Sequence, residues 1–162
     1  MSRSREKLAE TSSNNSSRLA LGSRGEELAA AYLQAQGYRI VAANFVIPVG
    51  RNKAGAVIKV EMDLVAYDGA TLCFVEVKSR TSGWFAPPQA NVDRRKQRQI
   101  SRASRAYRRM FGIEGAPYRY DVVTVVSPTE EDTETRMEIK LLRNYWTDDK
   151  LRKKSWFETY HS

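Results

Sequence analysis

Three carboxylate residues and one lysine alternate with aliphatic residues along two neighbouring β-prone segments. Glu61 and Asp63 stand two apart in the first segment, and Glu76 and Lys78 stand two apart in the second. Because side chains two apart on a strand share a face, pairing of the segments would gather three carboxylates beside an ammonium group. Buried charges are unfavourable unless they are paired, solvated or bound to a cation. The pattern therefore indicates a metal site, with solvated residues on an exposed strand as the alternative interpretation.

Cysteine and histidine each occur once, as Cys73 and His161. A single cysteine excludes an internal disulfide and a paired-cysteine zinc site, and a single histidine excludes a two-histidine metal site. The penultimate position of His161 also argues against a Ser-His-Asp triad. Any metal site must then use carboxylates, carbonyls and water, which favour a hard cation such as Mg²⁺ or Mn²⁺.

Alternating apolar residues and turn signals predict five strands and two helices around these residues. The predicted strands span residues 38–46, 57–67, 71–79, 118–127 and 136–142. Asp68-Gly69 predicts a hairpin, and the segments 48–55 and 80–91 are predicted loops. The helices are predicted from about Leu21 to Gly37 and from Asn91 or Asp93 to near Gly112. The order αβββαββ predicts an α/β domain with a mixed β-sheet flanked by helices.

The chain has 162 residues, and 27 basic against 19 acidic side chains give it a net charge of +8. That length fits one domain, which we place at residues 21–145. Residues 1–20 are rich in Ser, Asn, Arg and Lys and are predicted to be a flexible leader, whereas residues 146–162 are predicted to dock as a short helical tail. We find no apolar run long enough to cross a bilayer and no secretory signal, and therefore expect a cytoplasmic protein without a membrane partner.

Glu26 has two interpretations in the first predicted helix. It lies three residues after Ser23, the spacing of a capping box, where a glutamate also favours the positive end of the helix. If the helix packs on the sheet, Glu26 is instead directed at the carboxylates as a further, water-mediated ligand. The residues themselves leave both interpretations open.

Positive charge is concentrated in the second predicted helix. The segment from Val92 to Arg109 holds eight basic residues and one acidic residue, Asp93, and so carries +7 of the net +8. Five arginines at steps of three and four residues form one stripe, namely Arg94, Arg98, Arg102, Arg105 and Arg109, and we expect Met110 among the apolar residues opposite it. A single-sign arginine stripe is typical of phosphate recognition, with a solvated helix face as the alternative. Lys96 either faces the carboxylates or extends along the edge of the core.

An ordered set of motifs identifies a family that the sequence resembles between residues 20 and 127. The motifs are Gly22-x-x-Gly25-Glu26-x-x-Ala29, Gly37-Tyr38-Arg39-Ile40, Asn44, Glu61-x-Asp63-Leu64, Phe74-Val75-Glu76-Val77-Lys78-x-Arg80, Lys96 and Tyr120-Asp121-Val122-Val123. They resemble the YraN-like family of small bacterial proteins with a restriction-endonuclease-like fold. That family is distantly related to archaeal Holliday junction resolvases within the PD-(D/E)XK nucleases.

The resemblance implies an active site on the carboxylate-bearing strands. Asp63 and Glu76 correspond to the metal-binding acids, Lys78 to the lysine of the motif, and Glu26 to the helix glutamate of the resolvase-like branch. Glu61 matches the family's glutamate two residues before the aspartate, without a settled role. The backbone carbonyl of Val77 is expected to complete the coordination of Mg²⁺ or Mn²⁺, and Lys96 and Arg80 join the arginine stripe as expected nucleic-acid-binding residues.

These expectations point to a metal-dependent endonuclease that hydrolyses DNA phosphodiester bonds, with structured or branched DNA as one substrate class. Val60 stands where the family has a glycine and Met62 where it has an isoleucine, and the segment between Asn44 and Glu61 is longer than usual. These departures leave every acid and the lysine in place. The alternatives are a non-catalytic nucleic-acid-binding protein of the same fold and a protein that binds an acidic protein surface. Related resolvases pair, so a homodimer is also expected as one form.

Overall fold

The structure is a computed structural model that describes residues 24–81, 92–131 and 136–151. In the described residues the order αβββαββ is confirmed, followed by a short 3-10 turn at Asp148–Leu151. The helices are α1 (Arg24–Ala35) and α2 (Arg94–Met110). The strands are β1 (Arg39–Arg51), β2 (Val57–Asp68), β3 (Thr71–Thr81), β4 (Tyr118–Ser127) and β5 (Glu138–Trp146).

The five strands form one sheet in the order β1-β2-β3-β4-β5. Neighbours pair antiparallel except β3 and β4, which are parallel and are joined through α2. Parallel strands need a crossover that returns the chain to the same end of the sheet, and α2 supplies it. The predicted α/β domain with a mixed sheet is therefore confirmed.

The helices cover opposite faces of the sheet. On one face α1 packs Ala29 and Leu33 against the sheet residues Leu64, Val75 and Val123. On the other face α2 packs Ile100, Ala103 and Tyr107 against a second set that includes Met62, Phe74 and Tyr120. Neither α1 nor α2, the two α-helices of the described residues, combines the length and the hydropathy of a membrane-spanning helix.

Both helices end at glycines in the left-handed region, as the sequence predicts. After α1 the chain turns at Gly37 (φ 93°), where the Tyr38 N–H donates to the Leu33 carbonyl at 2.9 Å. Asp93 is the N-cap of α2, because its carboxylate accepts from the Lys96 N–H at 2.8 Å. α2 ends at Met110, two residues before Gly112 (φ 64°). Met110, expected on the packed side of this helix, is 57% exposed, and that expectation was wrong.

Several strand boundaries differ from the prediction. β3 continues to Thr81, so residues 80 and 81 belong to this strand and not to the predicted loop at 80–91. β1 does not stop at residue 46 but continues through Pro48 to Arg51, so the predicted loop at 48–55 shrinks to a turn between β1 and β2. Pro48 is tolerated because β1 is an edge strand, where a missing N–H removes no central ladder bond. β5 ends at Trp146, which is 2% exposed, so the residue predicted to begin the tail belongs to the sheet. The predicted leader, the capping residue Ser23, residues 82–91 of the predicted loop and residues 152–162 of the predicted tail lie outside the described residues.

Candidate functional site

Asp63 lies where the regular alternation of β2 breaks. Met62 packs on the α2 face of the sheet, yet Leu64, two residues later, packs on the α1 face. Opposite this point on β1, between the pairs Ala43–Leu64 and Phe45–Met62, stands Asn44 in a left-handed conformation (φ 47°). Asparagine is one of the few non-glycine residues that adopt this conformation readily, which accounts for Asn44 at this position.

The carboxylate of Asp63 is held by the next strand. The pairing of β2 with β3 runs from Asp68–Thr71 to Leu64–Val75 and stops there. Just beyond, the Val77 N–H donates to Asp63 Oδ2 at 2.8 Å. The side chain of Asp63 thus replaces the backbone of β2 as the partner of β3, and this bond fixes one carboxylate oxygen at the point where the strands separate.

Glu76 places a second carboxylate beside Asp63. It is 5% exposed and follows Phe74 on the face that carries α2. Its Oε1 lies 3.7 Å from Lys78 Nζ and 3.9 Å from Lys96 Nζ. Its Oε2 is buried and has no hydrogen-bond partner among residues 24–81, 92–131 and 136–151.

Burial and the adjacent charge of Asp63 raise the pKa of Glu76 to about 7, against the opposing effect of Lys96 and Lys78. A carboxylate that is desolvated beside another carboxylate is stabilised by a cation. The two lysines supply part of that charge at distances longer than a direct hydrogen bond. The site therefore retains the capacity to bind further positive charge.

The predicted gathering of three carboxylates is wrong for the described residues. No group of three acidic, histidine or cysteine side chains in that part of the chain is arranged to hold a metal ion. Glu61 is exposed and lies between Val60 and Met62, which both pack towards α2, so its side chain is directed to the opposite face. The break at Asp63 separates two residues that a regular strand would have kept on one face.

Glu26 lies in the first turn of α1 and is half-buried. α1 packs on the face opposite to α2, whereas Glu76 contacts Lys96 of α2. Glu26 therefore forms no three-carboxylate group with Asp63 and Glu76, and its role as a water-mediated ligand stays a prediction.

The five arginines of the stripe are all exposed along α2. Arg102 donates from Nη2 to the Val49 carbonyl at 3.3 Å, and Arg109 pairs with Glu114 at 3.7 Å. Lys96, on the same helix, contacts Glu76, so the first of its two predicted orientations is the one observed. Arg80 is half-buried near the end of β3, paired with Val126 of β4. The exposure of the stripe is confirmed, while its binding to nucleic acid stays a prediction.

The motif residues Tyr38 and Asp121 belong to a structural network on the opposite face. Asp121 is fully buried and accepts from Arg119 Nε at 3.0 Å, from the Asn144 N–H at 2.9 Å and from the Tyr38 hydroxyl at 3.2 Å. Arg119 also pairs with Asp68 at 2.6 Å. Every carboxylate oxygen of Asp121 has a partner, so this network joins β4 to its neighbours rather than offering a reactive group.

Comparison with known proteins adds a family to this geometry. The model of the uncharacterised protein family UPF0102 matches residues 25–125. A UPF0102 protein of Geobacter sulfurreducens is 46% identical over 110 residues, or 67% of this chain and 78% of that protein. One of Chlorobaculum tepidum is 38% identical over 116 residues, 72% of this chain and 82% of its own. A UPF0102 protein of Symbiobacterium thermophilum is 38% identical over 124 residues, which cover 76% of this chain and 93% of that protein.

Proposed function

We propose that this chain, which belongs to the uncharacterised protein family UPF0102, is a metal-dependent nuclease that hydrolyses phosphodiester bonds of DNA. Membership of UPF0102 confirms the YraN-like family that the ordered motifs indicate. Nuclease activity is our addition, and it rests on the chemistry of the site.

The observation that carries the proposal is the convergence of Asp63, Glu76 and Lys78 at the end of the β2–β3 pairing. The Asp63 carboxylate accepts from the Val77 N–H, and the Glu76 carboxylate keeps one buried oxygen without a partner in the described residues. The ammonium group of Lys78 lies 3.7 Å from Glu76, and its side chain is 40% exposed. Two neighbouring acids and a lysine contribute little to the stability of a sheet, because their burial costs desolvation energy. The same groups, with a perturbed pKa, are typical of an active site and are chemically suited to phosphodiester hydrolysis.

The residues fit a hard divalent cation. Asp63, Glu76 and the Val77 carbonyl offer only oxygen donors, and the orphaned Glu76 Oε2 is a buried carboxylate oxygen that a cation would satisfy. A bound Mg²⁺ or Mn²⁺ supplies Lewis-acid polarisation of the phosphate and lowers the pKa of water. Water would supply the remaining ligands of such an ion, because no third carboxylate joins these two among the described residues.

The chain's own residues then bind and orient the substrate. Lys78 reaches solvent from the site, and its ammonium group is placed to neutralise a phosphate oxygen or to orient the attacking water. Lys96 lies beside Glu76 on the helix side and opposes the rise in the pKa of this buried acid, which favours its carboxylate form. A variant without Lys96 is therefore expected to hold Glu76 more strongly in the protonated form.

α2 connects the site to a DNA-binding surface. Lys96 contacts Glu76, and the exposed arginines of the stripe continue along the same helix away from it. Guanidinium groups pair with phosphate oxygens in a bidentate manner, and contacts of this kind are largely independent of sequence. DNA strands that bind along α2 would thus be guided towards Glu76 and Lys78.

A non-catalytic nucleic-acid-binding protein is the second candidate. It is favoured by one observation, namely that only two carboxylates converge in the described residues. This candidate keeps the arginine stripe as its functional surface and assigns the acids and lysines to a paired structural cluster.

Cleavage assays separate the two candidates. Purified protein is incubated with duplex, flap, junction and single-stranded DNA in Mg²⁺ or Mn²⁺, beside Asp63→Ala and Lys78→Ala. We expect cleavage by the original protein and a loss of more than about 100-fold in each variant, because replacing residues that only support the ligands of a metal already costs about 10–100-fold. Undiminished activity in the variants would overturn the assignment, and DNA binding without any cleavage would support the second candidate.

A further inference from the structure

A cleft lies beside α2, separate from the candidate metal centre. α2 packs over β1 and β2, and the turn Asp148–Leu151 contacts α2 on the same face of the sheet. The space between them is a cleft of about 710 Å³, and neither Asp63 nor Glu76 lines it. Its volume is in the range of small-ligand sites, roughly 300–1,000 Å³.

Four arginines of α2 form one side of this cleft: Arg98, Arg102, Arg105 and Arg108. The first three belong to the exposed stripe, whereas Arg108 is 8% exposed and its guanidinium lies 3.6 Å from the centre of the Tyr118 ring. The buried Nε of Arg108 has no hydrogen-bond partner within the described part of the chain. A buried donor without an acceptor, on a side chain that lines a cavity, indicates an acceptor supplied by a ligand.

The opposite side of the cleft combines aromatic rings with Asp148 and Asp149. Tyr118 and Tyr120 donate to Asp148 at 2.5 and 2.8 Å, so this carboxylate is held by two hydroxyl groups. The rings of Tyr120 and Trp146 stack with centres 4.7 Å apart. Tyr120 and Trp146 are 1% and 2% exposed, so their rings form a packed wall of the cleft. The groups on which an unpaired base can stack and a phosphate can bind are therefore the guanidinium planes of the arginines.

We propose that the cleft binds one unpaired nucleotide of a nucleic acid strand, with its phosphate on the arginines and its base in the cleft. This inference rests on the proposed function, because it specifies which DNA the arginine stripe prefers. A base within a duplex enters a pocket only after it is unstacked and unpaired, which costs a few kcal/mol, while a single-stranded base avoids most of that cost.

The position of the cleft relates it to the metal centre. Lys96 is a residue of α2 that contacts Glu76, and a helix rises about 1.5 Å per residue. Arg98 and Arg105 therefore lie about 3 and 14 Å further along the helix axis. With 3.6 residues per turn, these two arginines lie on the side of α2 away from Lys96, on its exposed surface. A single strand in the cleft and a duplex on the remaining exposed arginines would meet along this surface, so a junction between duplex and single strand suits it better than a blunt duplex.

The test compares binding of a blunt DNA duplex with binding of the same duplex bearing a three-nucleotide single-stranded overhang. Fluorescence anisotropy in EDTA keeps binding apart from cleavage. We expect the overhang to raise the affinity at least about fivefold. Arg105→Gln, which removes a charge from the cleft, should abolish this preference, whereas Arg94→Gln removes the same charge from the same stripe outside the cleft and should retain it.

A second variant tests occupancy rather than charge. Thr147 lines the cleft, and Thr147→Trp should fill it, removing the overhang preference while the affinity for blunt duplex stays unchanged. Thermal unfolding of each variant checks that the fold is retained. Equal affinity of the original protein for both DNAs, or a preference that survives both Arg105→Gln and Thr147→Trp, would overturn the inference while leaving the proposed function. Failure to bind any DNA would overturn both.

Discussion

Glu76 shows how one residue combines structural cost with chemical capacity. A glutamate at 5% exposure inside a hydrophobic strand is unfavourable unless something compensates its charge. Asp63 adds to the cost, and Lys78 and Lys96 offset it in part. A bound cation would compensate the part of this unfavourable energy that the two lysines leave.

The raised pKa of Glu76 has a measurable consequence for stability. The group titrates near 4.5 when unperturbed and at about 7 when folded, so the folded state binds more protons between these values. Its contribution to the free energy of unfolding therefore falls as the pH rises from about 4.5 to 7. We expect Glu76→Gln to be more stable than the original protein at pH 8 in EDTA by about 3 kcal/mol, and to lose most of that advantage at pH 4.5.

Urea unfolding of both proteins at several pH values measures this difference. Titrations of groups distant from Glu76 are the same in both proteins, so they cancel in the comparison. A difference in stability that does not change with pH would show that Glu76 is not perturbed as the structure indicates.

The grouping of Asp63, Glu76 and Lys78 could be predicted from residue types, because charges at alternate positions of aliphatic strands are rare without a partner. The separation of Glu61 from them could not. It depends on the break in alternation opposite Asn44, and the conformation of Asn44 is set by the way β1 pairs with β2. A regular alternation of side chains with a period of two residues would place Glu61 on the same face as Asp63, which the structure contradicts.

At the scale of elements, α2 carries the positive charge with which we expect the protein to bind a polyanion. Its exposed arginines alternate with a buried side that includes Ile100 and Ala103. This amphipathic pattern follows from helical periodicity and was predictable. The continuation of β1 through Pro48 was not, because proline and glycine ordinarily indicate a loop, and only the edge position of β1 makes Pro48 acceptable.

The stripe predicts a characteristic dependence on salt. Each phosphate contact releases counterions, so the logarithm of the DNA-binding constant should fall linearly with the logarithm of salt concentration. Arg98→Gln should lower the magnitude of that slope by about 1 and weaken binding equally for unrelated sequences. Lys59→Gln is the control, since Lys59 is an exposed residue of β2 outside the stripe. An unchanged slope in Arg98→Gln, or an equal change in the control, would argue against phosphate contacts by α2.

At the scale of the whole molecule, one network joins segments that are far apart in the sequence. Tyr38 follows α1, Arg119 and Asp121 lie on β4, and Asn144 lies on β5. The element order and the mixed sheet could be predicted from apolar periodicity. Neither this network nor the cleft could, because each is assembled by the tertiary fold from residues whose local patterns indicate nothing unusual.

Removing one charge from this network should destabilise the molecule without touching the candidate metal centre. Asp121 is fully buried and pairs with Arg119, so Asp121→Asn leaves a cation without its main partner and is expected to cost about 3 kcal/mol. Asp68→Asn removes the other acid that pairs with Arg119, at a side chain 34% exposed, and should cost less than about 1 kcal/mol. Chemical denaturation at neutral pH measures both, and equal losses would contradict the structural role assigned to Asp121.

The pairing of Asp63 with Glu76 around a divalent cation is tested most directly by calorimetric titration of metal-free protein with Mn²⁺. Glu76→Gln removes a proposed ligand, and Glu61→Gln is the matched control, an exposed glutamate on the other face of the sheet. We expect saturable binding by the original protein and by Glu61→Gln, and a loss of affinity of at least about tenfold in Glu76→Gln. Equal affinity in all three proteins, or no binding by the original protein, would contradict the proposed metal centre.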